Sequence, residues 1–487
     1  MRSVFPSSLA PALLLVALSG CTVGPHYAGP PAAVPGAPTA PAFLRAGGVA
    51  LDGQAPAGHW WEGLGDPVLN DLVRRTLANN PNVQIGQAKL KQARAGLRLE
   101  KSNSAPNINA SAIYAHAHLP GVDLSGNGDS GNGSSDLNLY NLGFDASWEV
   151  DLFGGQRRTV QAARATAQSA QASLADTQVS LSAEVVNAYV NLRDRQQRIA
   201  LSAASLAMQQ QMLGLVRQRA DRGTASSLDV AGLEQSVEAT RAQALPLEAE
   251  RDAYLDALAT LAGEAPGALD QSLATPAPLP LPPASVAIGD PAALLQRRPD
   301  IRAAERTLAA DTAKIGAAEA ARFPRLSFMG LIGIGGTSLS DLGHLDDFAA
   351  IAAPQLSWSF LDFGRNAARV TKAEGVRDEA EARYRAAVLD ALRDAEGALS
   401  RFGNRRIVVA TLARAKTAAD KTTALTQQRY AAGTGTLIDL LDKQRQGIAA
   451  EENLISAQAG LTTDFVAIQK ALGLGWDEAE GQDITAR

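Results

Sequence analysis

Over residues 140–152 hydrophobic and polar positions alternate without a break. Tyr140, Leu142, Phe144, Ala146, Trp148, Val150 and Leu152 fill the even positions, and Asn141, Gly143, Asp145, Ser147, Glu149 and Asp151 the odd ones. Successive strand side chains point to opposite faces, so the segment predicts a strand with one greasy and one acidic-polar face. Leu356, Trp358 and Phe360 against Gln355, Ser357 and Ser359 repeat the pattern. Ile108, Ala110, Ala112 and Tyr114 alternate more weakly with Asn107, Asn109 and Ser111, and residues 325–335 alternate poorly. Two β-hairpins are expected, at 107–153 and 325–363, with loops at 119–136 and 336–347. The first loop holds the Gly/Ser/Asn/Asp run of residues 125–135, a composition that breaks regular structure. A half-buried soluble hairpin gives the same alternation. Asp145, Glu149 and Asp151 on the polar face suit water, and the aromatic face suits lipid.

After each hairpin the period changes. Residues 156–221 and 366–431 contain no Pro and are rich in Ala, Gln, Arg and Leu. As helices each spans about 100 Å at 1.5 Å per residue. Leu181, Val185, Tyr189, Leu192, Ile199 and Leu206 recur at spacings of three, four and seven, the stripe of an amphipathic helix. Gly223 and Gly433 follow the long helices, where glycine relieves a left-handed C-cap. Return helices are expected at 227–262 and 437–472. Pro246 lies inside the first and predicts a kink or break there; its counterpart is Ser456. Further helices are expected at 60–106 and 291–324, before the hairpins. A coiled-coil stalk shows the same helical pattern, without hairpins of membrane type before each long helix.

These elements come twice. Ser147-Trp148 through Phe153-Gly154 returns as Ser357-Trp358 through Phe363-Gly364, and Gly223, Thr224 and Asp229 return as Gly433, Thr434 and Asp439, at an offset of 210. Asn80-Pro81-Asn82-Val83 returns as Arg298-Pro299-Asp300-Ile301, and Ala105-Pro106-Asn107-Ile108 as Phe323-Pro324-Arg325-Leu326, at an offset of 218. The fall from 218 to 210 makes the first copy longer by 8 residues, all between Ile108 and Ser147. The fold is therefore built by tandem repetition.

The start of the chain bears on compartment. Residues 9–18 form an apolar run too short to span a bilayer, after Met1-Arg2, which reads as a signal peptide over 1–20. Leu18-Ser19-Gly20-Cys21 resembles a bacterial lipoprotein cleavage box, and Cys21 is the only cysteine. Cys21 is thus the candidate for a covalent acyl lipid such as palmitate, and no other cofactor is expected. By resemblance to sorted lipoproteins, Thr22 in place of Asp favours the outer membrane. Residues 21–59 read as a Pro/Ala/Gly-rich tether, 263–290 as a Pro-rich linker in extended conformation, and 473–487 as a tail.

Charge and motifs exclude several classes. The formal net charge is −5 and becomes −6 when the leader, with Arg2, is removed; nucleic acid, which needs a basic face, is not an expected partner. No run of 18 apolar residues follows the leader, so no transmembrane helix is expected. There is no Gly-x-x-x-x-Gly-Lys-Ser/Thr loop and no Gly-x-Ser-x-Gly, and Gly333-Ile334-Gly335-Gly336 lacks a βαβ context. His116 and His118 share a strand face without a nearby third ligand, which suits a rim position rather than a metal. No enzymatic activity is expected. Four strands cannot close a barrel, because each open edge in hydrocarbon costs several kcal/mol per unpaired group and single-chain barrels start at about 8 strands. A spanning chain must oligomerise, a dimer supplying eight strands and a trimer twelve.

Cys21-Thr22-Val23-Gly24-Pro25-His26-Tyr27, Trp60-Trp61 with Asp66-Pro67, Arg297-Arg298-Pro299-Asp300-Ile301 and the twin Phe-Gly junctions resemble the TolC-like outer membrane factors. The lipoprotein NodT/OprM-type branch is the closest, and the resemblance runs over essentially the whole mature chain. It implies an α+β membrane protein: a homotrimer whose hairpins complete a 12-stranded β-barrel continuous with a long periplasmic α-helical barrel. It further implies the passive outer-membrane exit duct of a tripartite efflux pump, anchored in outer-membrane lipid. The implied partners are a periplasmic adaptor and an inner-membrane pump of RND type. The resemblance puts the adaptor-docking tips at Gly223, Thr224, Ser226, Ser227, Leu228, Gly433, Thr434, Thr436 and Leu437. It puts a periplasmic gate at Tyr430 with Asp229, and at Asp439 with Asp442. One family pattern has an Arg two residues after the second tip glycine, and this chain departs from it with Gly435. The residues by themselves also allow Ser226-x-x-Asp229 and Thr436-x-x-Asp439 to be helix capping boxes, with Asp442 one turn on from the second. A ring of carboxylates would draw cations and raise local proton affinity. A type I protein-secretion duct and a lipoprotein stalk without a pore remain the alternatives.

Overall fold

A computed structural model describes residues 22–32, 43–45, 51–52, 58–120, 134–288, 297–344, 346 and 348–476. The leader, Cys21, most of the tether, most of the first hairpin loop and residues 477–487 fall outside the described residues. The elements in order are β1 (Leu51–Asp52), a 3₁₀ turn (Trp60–Leu64), α1 (Pro67–Asn79), α2 (Pro81–Ser102), β2 (Asn107–Pro120), β3 (Ser134–Val150), α3 (Gly155–Asp221) and α4 (Ser227–Leu261). There follow the short α5 (Asp270–Leu273), β4 (Val286–Ala287), α6 (Pro299–Ala320), β5 (Arg325–Gly336), a 3₁₀ turn (Leu339–Gly343), β6 (Phe348–Ser357), α7 (Arg365–Ala431) and α8 (Leu437–Ala471). The two long helices are 67 residues each and the two return helices 35 each. The duplication is thus kept to the residue in the helices, and the extra length of the first copy lies in its hairpin.

The chain divides into two compact units. One comprises Met1–Pro31, Lys91–Ser169 and Glu305–Arg383, the other Ala32–Leu90, Ala170–Ala304 and Tyr384–Arg487. The first unit carries an antiparallel sheet in the order β2-β3-β5-β6. Its registers keep even residues opposite even ones, as in Trp148↔Phe328 and Leu326↔Leu356, so the greasy face is continuous across the sheet. Tyr114 lies 5.0 Å from Tyr140 and Trp148 6.1 Å from Phe328, centroid to centroid. Ile108, Tyr114, Leu142, Phe144, Ile332 and Leu356 are exposed. In this chain the greasy face therefore covers no core, unlike that of a soluble hairpin. At the foot of each hairpin an indole N–H donates to the turn before the first strand, Trp148 to the Ser104 carbonyl and Trp358 to the Arg322 carbonyl, both at 3.1 Å. Trp358 and Phe360 lie beyond the end of β6, because pairing with β5 stops at Ser357. In the first hairpin the strands reach Pro120 and start again at Ser134, shortening the loop expected at 119–136.

The second unit holds the larger core. Trp60, Trp61, Leu69, Leu72 and Val73 pack with Val185, Val186, Tyr189 and Leu192 of α3, Leu255 and Leu258 of α4, Leu399 and Phe402 of α7, and Phe465 and Ile468 of α8. The Pro-rich segment 263–290, expected as an extended linker, is part of this core. Leu269, Leu273, Leu279, Val286 and Ile288 are buried. Its carbonyls are taken by side chains of the helices: Gln196 donates to Leu273 (2.7 Å), Arg193 to Thr275 (2.8 Å) and Thr462 to Pro280 (2.8 Å). Proline removes backbone donors but leaves acceptors, which the helices satisfy. Pro246 does not end α4, which runs unbroken from Ser227 to Leu261; its cost is local, and the helix is held by buried Leu233, Val237, Leu247 and Leu255 on either side. Among the described residues, α3 is by length and composition apolar enough to cross a membrane. Its repeat partner α7 is of equal length and is not in that class.

Candidate functional site at the hairpin tips

The site belongs to the second unit. Each long helix ends in the same turn. Gly223 and Gly433 both sit at φ 72°, in the left-handed region. Their N–H groups donate to Ala220 and Tyr430 at 2.9 and 3.0 Å, and those of Thr224 and Thr434 to Arg219 and Arg429 at 2.8 and 2.9 Å. The two threonine hydroxyls donate to the same carbonyls. These bonds take up the acceptors that a helix leaves free at its C-terminus. Ser226 then caps α4: its hydroxyl accepts from the Asp229 N–H at 3.1 Å, while the Asp229 carboxylate accepts from the Ser226 N–H at 3.2 Å, closing a capping box. Thr436 caps α8 in the same way through the Asp439 N–H at 3.1 Å, and its hydroxyl donates to the Asp439 carboxylate at 2.7 Å.

The cap sets the charge of the tip. The Thr436 hydroxyl, then its N–H, hold the Asp439 carboxyl below the usual carboxylate range, with Arg429 and Lys443 adding to the effect. Within one chain the cap thus favours the charged form of Asp439. Asp442 is occupied too: Arg445 donates to it at 3.0 Å and Gln446 at 2.7 Å, with Lys443 at 3.7 Å.

Tyr430 does not meet Asp229 in this chain. Its hydroxyl accepts from the Arg219 guanidinium at 2.9 Å, and that guanidinium stands 5.7 Å from the Tyr430 ring centroid. Arg219 lies in the last turn of α3 and Tyr430 in that of α7, so the bond ties one long helix to the other across 211 positions of sequence. Sequence reading missed Arg219, whose only signal was that its repeat equivalent, Arg429, precedes Tyr430. Below the turn, Leu213, Val216, Leu233 and Val237 form a small core against which Leu437 and Leu441 pack. Ser227 and Leu437 are the first residues of the return helices. The repeat-equivalent Leu228 and Ile438, by contrast, are 77% and 64% exposed.

The profile of the family described as outer membrane efflux protein matches residues 72–264 and 291–474, one stretch in each copy. The chain belongs to the outer membrane efflux protein family. This efflux protein is 31% identical over 487 residues to the toluene efflux pump outer membrane protein TtgF of Pseudomonas putida, covering 97% of this chain and 98% of the relative. It is 29% identical over 461 residues to nodulation protein T of Rhizobium leguminosarum bv. trifolii, covering 94% and 96%. Among solved structures it resembles the outer-membrane channel OprN, with a TM-score of 0.86 and 34% identity over 94% of this chain and all of that one. The fold is that of outer membrane efflux channels, a four-stranded sheet with paired helical hairpins.

Proposed function

We propose that this efflux protein works as the passive exit duct of a tripartite pump, carrying small molecules across the periplasm and outer membrane as a homotrimer. The observation that carries the reading is the sheet. Among the described residues its outer strands, β2 and β6, have no partner on one edge, and its greasy side chains are exposed. Exposed edges and an exposed apolar face are both relieved when copies join edge to edge in lipid. Three copies give twelve strands. Relatives named as outer-membrane proteins of efflux pumps favour small-molecule cargo over protein secretion and over a stalk without a pore. Such a duct receives its cargo and energy from a periplasmic adaptor and an inner-membrane pump, read as RND type. The exposed Leu228 and Ile438 make the tips a docking surface for the adaptor. The gate reading covers Tyr430, Asp229, Asp439 and Asp442, to which the geometry adds Arg219. Cys21 is read as the lipid-bearing residue. The test is the mass of the detergent-solubilised protein with the detergent subtracted. A trimer is expected, and a monomer stable under mild conditions would end the pore reading. Intact mass of the N-terminal peptide tests the lipid: an unmodified Cys21 thiol sinks it.

A further inference from the structure

Residues 22–27, the segment directly after Cys21, lie in a groove of the first unit cut to their shape. The Val23 N–H donates to the Phe153 carbonyl at 3.1 Å. The Arg158 guanidinium donates to the carbonyls of Val23 at 3.2 Å and Gly24 at 2.9 Å, and stands 3.4 Å from both ring nitrogens of His26. The Tyr27 hydroxyl donates to Glu305 at 2.8 Å, and the Tyr27 ring packs on Ala165, Ala309 and Ala310. Glycines give the room. Gly24 sits at φ 84°, and a Cβ there would fall 2.4 Å from the Gly316 Cα; a Cβ on Gly154 would fall 2.4 Å from the Thr22 methyl.

Arg158 is the unusual member. It is 2% exposed, and burial penalises its charged form. Among the described residues its bonds go to the two strap carbonyls, to Gln161 at 3.1 Å and to the His26 ring, none to a carboxylate. The seated strap thus supplies most of the acceptors that satisfy this buried cation, which is the condition for burying it without a large cost. The groove exists once per chain. The repeat equivalents of Arg158 and Gly316 are Ala368 and Arg98. Phe153 stacks on Phe323 at 4.6 Å, whereas its equivalent Phe363 is 84% exposed and the equivalent of Phe323 is Ala105.

We propose that the groove of Phe153, Gly154, Arg158, Glu305 and Gly316 is an intramolecular peptide-binding site for residues 22–27. Arg158 is its positioning residue. Seating the strap delivers whatever Cys21 carries to the foot of the first hairpin and not the second. That last consequence rests on the lipid reading of Cys21; the docking does not. The test is hydrogen exchange on the full-length protein purified from membranes, followed by mass spectrometry of the N-terminal peptides. The Val23 amide is expected to be protected, and to exchange at least tenfold faster in Arg158→Ala and in Gly24→Ala. Arg158→Lys restores part of the protection, since an ammonium can still reach one carbonyl, and Arg158→Met restores none. Amides of α4 keep their rates in all four, separating loss of the seat from unfolding. Gly24→Ala alters only the strap, so the test survives failure of an Arg158 variant to fold. An unprotected Val23 amide in the unchanged protein, or protection in Arg158→Ala and Gly24→Ala that stays at the level of the unchanged protein, overturns the proposal. The peptide containing Cys21 reports its own mass in the same experiment: a bare thiol removes the lipid reading and leaves the docking standing.

Discussion

At the scale of single residues, polar groups placed in apolar surroundings carry the sharpest consequences. Tyr189 is buried in the second unit, donating to Asp66 at 2.6 Å and accepting from Arg193 at 3.0 Å. Burial, then the Asp66 hydrogen bond, push its phenol up to about 12, from 10.0. The folded value lies above the unfolded one. Its contribution is therefore complete below about pH 10 and is lost as the pH rises toward 12, amounting to about 3 kcal/mol at most. Alkaline titration of stability by circular dichroism should show this fall, and Tyr189→Phe should flatten it; an unchanged slope would sink the assignment. Arg219 and Tyr430 make a second case. If their hydrogen bond helps hold the tip shut, Arg219→Ala and Tyr430→Phe, which both remove it, should each raise mean single-channel conductance by on the order of threefold. The double variant should add little, since both remove one contact. Unchanged conductance in both variants would remove the latch.

Helices and turns show how the repeat is enforced. Both tips use a glycine at φ 72°, a threonine and then a hydroxyl cap, although Ala225 precedes one cap and Gly435 the other. Ser226→Ala and Thr436→Ala should each cost about 1 kcal/mol in their own first turn. Amide exchange at Asp229 and Asp439 should then speed up by roughly fivefold, and equal rates would show that the caps are idle. Capping and gating compete for the same carboxylates: Asp229 and Asp439 are engaged by their own helix, while Tyr430 is held by Arg219. A Tyr–Asp link would have to break bonds already made within one chain.

For the whole molecule, the duplication makes the register between copies predictable. The β3–β5 junction pairs Ser147 with Met329. Shifting each strand to its repeat equivalent pairs Ser357 of β6 with Ser111 of β2 in the next copy. This keeps even residues opposite even ones, so greasy faces meet, whereas a slip of one residue would turn every side chain to the wrong face. Ser111→Cys with Ser357→Cys should therefore give an intermolecular disulfide in oxidised outer membranes. The slipped pair Ser111→Cys with Leu356→Cys should not. Efficient crosslinking of the slipped pair would disprove the register.

Much of this was legible in the sequence, because it depends on local periodicity. Alternation around 140–152 needs only the two faces of a strand, and helix ends at Gly223 and Gly433 need only the left-handed turn that glycine allows. Repeated motifs at a constant offset give the duplication without any structure. The composition of the Pro-rich segment 263–290 describes a linker, but not its packing in the core, since only the helices beside it supply donors for its carbonyls. Arg219 beside Tyr430 and Arg158 beside residues 23–26 join positions over 130 apart, and no local pattern records such pairs. The repeat, the lengths of the long helices and the donors and acceptors at each helix end could be read from residue order alone, because they follow from neighbours along the chain. Which cation meets the tip tyrosine, and which groove takes the segment after Cys21, emerged from the folded chain, because a charged group's partner is set by proximity in space.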